Sequence, residues 1–354
     1  MSAPAPPRSV GARRAEAEAF DVRRVHPALR FGSASDRYAA WIGQVYPRDV
    51  WASEVTTRSK RVGGEAFEER LLPVASVEDY FLHFGVLEVD ATYYRPLVEE
   101  TGKPSPGLFQ LQHYADASPA NARFLLKAPQ QTTARRLRQK VDGRWAYVEN
   151  PDYLNAKAFA AQFLVPLQKK LGAKLAGVLL EQPYVRARDA PAPETLVAEL
   201  DRFVGDIPEA PYHVELRSAH QLTPVYAEWL AGRELGFCFS HWQWLPPIID
   251  QWRVVRGQFT SSTGEAVVRL MQPRDMTFDE SFRLAHPFDK PAPGLAGTEQ
   301  AHRMVEETTA LAVRAAEAGV TLNVIANNRA WGNAPDLART LAHRFLEAAE
   351  SRDL

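Results

Sequence analysis

Short apolar runs rich in β-branched and aromatic residues recur along the chain from residue 28 onward, separated by longer segments of helical period. That alternation marks repeated β-α units. Eight runs are present: ALRFGSA at 28–34, GVLEVDA at 85–91, RFLLKA at 123–128, AGVLLEQ at 176–182, YHVELR at 212–217, LGFCFS at 235–240, EAVVRLM at 265–271 and TLNVIAN at 321–327. Between them, NAKAFAAQFLVPLQKKLG, APETLVAELDRFVG, TPVYAEWLAGR, TEQAHRMVEETTALAVRAAEAG and DLARTLAHRFLEAAE carry apolar residues at helical spacing. Gly172, Gly205, Gly232 and Gly319 fall where those helices should stop. Eight strands with intervening helices close more naturally into a barrel than they extend as a sheet, so the expected fold is α/β, a single (β/α)8 barrel. An open doubly wound sheet is the alternative. The stretches 43–75, 96–120, 139–153 and 272–298 break the rhythm and are expected as long loops on the C-terminal face of the strands, where barrels handle their ligands.

Alternation within the strands points to the chemistry. In YHVELR, His213, Glu215 and Arg217 share one face while Val214 and Leu216 share the other. The apolar face must meet helices, so the polar face points into the barrel, where Glu215 and Arg217 should be paired or at a wet rim. A structural ion pair and a functional one fit equally well. The second run repeats the arrangement with Glu88, Asp90 and Thr92 on one face. Glu181 and Gln182 end the fourth run, Lys127 the third, Arg269 nearly ends the seventh, and Asn327 with Asn328 ends the eighth. A closed barrel gathers these distant residues on one rim, and the set reads as a ligand site with Glu215, Arg217, Lys127, Glu181 and Asp90 as its candidate catalytic groups.

Several pieces, taken in order, resemble the YecE-like family, domain of unknown function 72: LRFGSA followed by WIGQVYP; LEVDATYYR; FLLKAP; LVPLQKKLGAKLAGVLLEQPY; HVELR; VVRLM; and VIANNRAWGNAP. They span about residues 28 to 345. The resemblance implies a barrel of the triosephosphate-isomerase type and a family with no settled activity. The chain departs from the family's usual pattern at Ser218, Ala219 and His220 after the Glu-x-Arg, and at Met271 and Gln272 after the seventh strand's Arg-Leu.

Further residues extend the candidate site. Gly332 and Asn333 precede a helix expected to begin near Pro335, and the N–H groups of Gly332 to Ala334 there could receive a phosphate; an ordinary Asn N-cap is the alternative. Arg269, Asn327, Asn328, Tyr94, His241 and Trp242 complete the candidate ligand-binding set. Trp41, Trp51, Tyr93, Tyr94, Trp242, Trp244 and Trp331 crowd the loops and are expected to cover the barrel mouth more than to stack on a ligand. Glu181 and Glu215 on neighbouring strands could form an acid and base pair, as in glycoside hydrolysis, but Arg217 and Lys127 would hold both ionised. A divalent metal site of Zn or Mn type can be assembled from Glu181, Glu215, His213 and His241, although no tight ligand spacing supports one and the cofactor is left open.

Composition narrows the partners. Lys plus Arg number 42 against 43 Asp plus Glu, so no overall basic surplus attracts nucleic acid or an anionic membrane. Nucleic acid would have to meet a local patch, for which Arg135, Arg136, Arg138 and Lys140 are candidates; a solvated helix face would look the same. The single cysteine, Cys238, lies in an apolar run and reads as a buried packing residue. Residues 1–25 are expected to form a flexible tail and 26–354 the barrel domain. No apolar stretch resembles a signal peptide or a membrane span, and a bacterial cytoplasmic protein is the default expectation. Three functions stay open: an enzyme acting on a phosphate-bearing or nucleic-acid-type ligand, a non-catalytic binding or regulatory module, and a carbohydrate-active hydrolase.

Overall fold

The computed structural model describes residues 9–352. Among them the strands are β1 (Leu29–Ala34), β2 (Thr56–Val62), β3 (Glu65–Leu71), β4 (Val86–Val89), β5 (Arg123–Lys127), β6 (Arg136–Val141), β7 (Arg144–Glu149), β8 (Leu175–Gln182), β9 (Tyr212–Leu216), β10 (Gly236–His241), β11 (Glu265–Leu270) and β12 (Thr321–Ala326). The eight apolar runs become β1, β4, β5, β8, β9, β10, β11 and β12, which close in that order into an all-parallel barrel with β12 back against β1. Helices surround it, so the fold is the expected (β/α)8 barrel and the open sheet is excluded. Residues facing outward, such as Leu126, Val178, Leu180 and Val214, are fully buried against the helix layer.

Inside the barrel an apolar layer of Val86, Leu125, Leu179, Cys238, Val267 and Ile325 fills the middle. Cys238 is thus the packing residue its sequence context predicts. Below that layer lies the fully buried His213 ring, which fits because its neighbours are Gly177 and Gly236; a Cβ on Gly236 would overlap the imidazole. The charged side chains stand above it, at the strands' C-terminal ends. Depth in the barrel thus separates the His213 ring from the charged network above it.

The helix expected over residues 155–172 forms with an irregularity set by Pro166. Ala156–Phe159 and Val165–Leu171 are α-helical, and a π turn, Ala160–Leu164, joins them. Proline has no N–H to give the carbonyl four residues back. That carbonyl, on Gln162, accepts instead from the Val98 N–H at 2.9 Å, which ties down the loop after β4.

Three expectations are corrected here. The predicted tail divides: residues 1–8 lie outside the described residues, whereas Val10–Glu18 is a helix capped by Ser9, with Ala17 fully buried and Arg14 paired to Glu350. The stretch 96–120 contains the helix Pro106–Ala117, while 43–75 and 139–153 are built around the β2–β3 and β6–β7 hairpins. The basic segment after β5 is therefore a strand, not a helix face. Both hairpins leave the barrel after a strand, β1 and β5 respectively, and so rise on the C-terminal side. No helix among the described residues is long and apolar enough to cross a membrane.

Candidate functional site

Strand register brings Glu181 on β8 opposite Glu215 on β9. Two carboxylates so close in a dry interior would repel, and cations from three other positions resolve this. Arg269 on β11, fully buried, grips Glu88 on β4 with two parallel bonds of 2.7 and 2.6 Å and also bonds Glu215. Arg217 donates through Nη2 to Glu181 at 2.8 Å and to Glu215 at 3.2 Å, and the Lys127 ammonium lies 2.9 Å from Glu181. Glu88, Glu181 and Glu215 are thus met by Lys127, Arg217 and Arg269. Burial alone would raise the Glu181 carboxyl, but Arg217, Lys127 and Arg269 together hold it well below the usual range, so it is ionised.

Above this network opens a cavity of about 320 Å³, at the small end of the range for ligand sites. Its floor includes Lys127, Glu181, Arg217 and Arg269, and its walls include Asp90, Asn327, Asn328, Arg329, Tyr94 and Trp242. Tyr38, Tyr93, Phe278, Phe282 and Phe288 add aromatic surface. Lys127 sits 4.0 Å over the Tyr93 ring and Arg217 4.1 Å over Trp242, contacts that fix both cations from the side. Tyr184 and Trp244 stack at 4.3 Å on the rim, where Trp244 is 49% and Tyr94 72% exposed. The aromatics therefore divide: Trp41 and Trp331 are buried, as a cover would be, whereas Tyr94 and Trp244 offer open faces.

Arg329 stands apart from the other cations. It is buried, its Nε and Nη1 donate to the neutral oxygens of Asn327 and Gln272, and its guanidinium lies 4.3 Å over Phe278. No carboxylate comes within ion-pair distance of it among the described residues, and its Nη2 makes no hydrogen bond there. Burial lowers its pKa to about 10, the mark of a charge that is poorly compensated. Three further buried donors of cavity-lining residues lack partners among the described residues: Arg217 Nε and Nη1, and Asn328 Nδ2. Asp90 is the complementary case, a lining carboxylate with no ion pair and no side-chain hydrogen bond among the described residues.

The cavity brings together Lys127, Glu181, Asp90, Arg217, Arg269, Asn327, Asn328, Tyr94 and Trp242. Four of the expected residues lie elsewhere. Glu215 is fully buried beneath the cavity and bonded to both arginines. His241 is buried with its Nδ1 on the Gln272 carbonyl. Gly332 and Asn333 do not form an open anion site: Asn333 is fully buried, its side chain caps Asp336 N, and Asn328 Oδ1 takes Ala334 N. The backbone at Lys290–Ala292 packs directly over Gly332. Among the described residues, no group of three or more His, Cys, Asp or Glu is placed to hold a metal, because Glu181 and Glu215 face cations and His213 lies a layer below. Sequence reasoning missed Arg329 and Tyr184, although Arg329 directly follows the two asparagines it did select.

The buried histidines give the fold a pH dependence. Burial pushes His213 and His241 down to about 4 from the ordinary 6.5, so below that value the unfolded chain takes up protons that the native state does not. Asp36 opposes them, because burial raises it to about 6 and its native form gains a proton first. The two histidines outweigh Asp36, and Glu181, held well below the usual range, acts in the same direction as they do, so stability is expected to fall by about 3 kcal/mol between pH 6.5 and 4. Urea midpoints across that range test this; a flat or rising profile would contradict it.

A family model described as "Protein of unknown function DUF72" matches residues 30–353. Two solved structures are similar. A DUF72 family protein from Thermotoga maritima is 16% identical, with a TM-score of 0.53 over 90% of this chain and 99% of that one. Another, from Enterococcus faecalis, is 14% identical, with a TM-score of 0.55 over 90% and 95%. At these identities the likeness concerns the fold. No curated protein matches the chain.

Proposed function

Because the chain belongs to the DUF72 family, described only as proteins of unknown function, its role has to be read from the cavity itself, and we propose that this cavity binds a small phosphate-bearing ligand with a flat ring, of mononucleotide type. The observation that carries this is Arg329, a buried guanidinium at the cavity wall with no carboxylate partner among the described residues. A guanidinium presents parallel N–H donors that match phosphate oxygens. Lys127, which also lines the cavity, supplies a second cation, and the exposed rings of Tyr94 and Trp244 suit a flat ring. Asp90, which has no ion pair among the described residues, is the carboxylate available to take a proton from such a ligand, which makes it the candidate base if turnover occurs.

A carbohydrate-active reading is less well supported. Its two-carboxylate chemistry needs one carboxyl protonated near neutrality, and three cations hold Glu181 ionised. Calorimetric titration of a nucleoside monophosphate into the wild type and Arg329→Gln tests the proposal. The wild type should bind and the variant should bind much more weakly; equal affinities would overturn it. Product formation that is lost in Asp90→Asn would identify an enzyme, and binding without product a binding module.

A further inference from the structure

The β6–β7 hairpin carries a second pattern that the cavity does not use. Its register sets Arg138 opposite Tyr147 and Lys140 opposite Trp145, which places both cations and both rings on one face. On the other face Leu137, Ala146 and Val148 are half-buried, while Gln139, Val141 and Arg144 are exposed. Packing therefore has no use for the outer rings, yet Trp145 is 59% and Tyr147 61% exposed. Over residues 135–149, five basic side chains face two acidic ones. Arg135 is occupied by Glu199 and Arg136 by Glu149, while Arg138, Lys140 and Arg144 have no carboxylate partner among the described residues.

We propose that this outer face is a docking surface for single-stranded nucleic acid. Side chains two apart on a strand repeat at about 7 Å, so the hairpin offers a row of cations on β6 beside a row of flat rings on β7, as backbone-tracking and base-stacking require. The Arg138 guanidinium and the Lys140 ammonium lie 5.1 and 5.7 Å from the Trp145 ring centre, and both leave ring surface to solvent. An acidic peptide would satisfy the cations but leave both rings in water. Leu137, Arg138 and Gln139 also wall a groove of about 420 Å³ that shares Tyr94 with the barrel-mouth cavity, but Glu99, Glu100 and Asp152 line it as well, so the outer hairpin face is the part suited to a polyanion. The surface is separate from Arg329 and goes beyond the phosphate reading of the cavity.

Fluorescence anisotropy with a labelled oligothymidylate of about twelve nucleotides tests this. The wild type should bind, more weakly as salt rises. Trp145→Ala with Tyr147→Ala should lose at least about tenfold while keeping the wild-type urea midpoint, Arg138→Glu with Lys140→Glu should lose binding, and Arg329→Gln should keep it. Absence of wild-type binding would overturn the proposal. So would unchanged affinity in the ring variant, or competition by polyglutamate as strong as by unlabelled oligothymidylate.

Discussion

Replacing Arg269 by methionine is expected to lower folding stability by about 3–5 kcal/mol, the usual cost of orphaning a buried charge. The side chain is fully buried and contacts three carboxylates, two of them on Glu88 and Glu215, which are fully buried as well. Methionine fills much of the volume, so the loss would come from charge and not from a cavity. That distinction can be checked, because adding Glu88→Gln and Glu215→Gln to the same background removes the orphaned charges and should recover part of the stability. Urea midpoints at neutral pH read both effects. A single variant as stable as wild type would mean that water already reaches the network.

Arg329→Gln is expected to behave in the opposite way. Affinity for a nucleoside monophosphate should fall about 10- to 100-fold, the worth of a charge-assisted bond to phosphate. Stability without ligand should hold or rise, because the native state already bears the cost of an uncompensated guanidinium, visible in its pKa of about 10. Calorimetry and a denaturation curve on the same preparation separate the two roles. A residue kept only for packing against Phe278 would lower stability and leave affinity alone.

Much of this architecture is readable along the chain, for a physical reason. Barrel strands are buried on both faces, so AGVLLEQ and LGFCFS stand out as dense apolar runs and match β8 and β10 within a residue. Alternation likewise assigns Glu215 and Arg217 to the interior. It cannot say how deep each lies, and depth is what separates Glu215, sealed under the cavity, from Glu181, which lines it. The helix Pro106–Ala117 escapes notice because among its residues only Leu111 and Tyr114 are buried, too few to print a period. The β6–β7 hairpin escapes because β6 is exposed and charged, and the WAYV run of β7 is too short, between charged ends, to mark a strand by itself. Asn333 does cap its helix as its position suggests. The segment that covers it comes from some forty residues earlier, and no local pattern announces that contact.

The claim at the centre is that Glu181 serves as a counter-ion to Lys127, Arg217 and Arg269 and does not itself act on the ligand. Glu181→Gln keeps the side chain's shape and frees positive charge next to the cavity. At an effective dielectric near 20, a charge released within some 8 Å is worth about 2 kcal/mol to an anion, partly offset by rearrangement. The decisive measurement is the dissociation constant of a nucleoside monophosphate for this variant and the wild type. Binding about 3- to 30-fold tighter in Glu181→Gln is the expected result; weakened binding by a variant that is still folded would place Glu181 on the ligand and contradict the assignment.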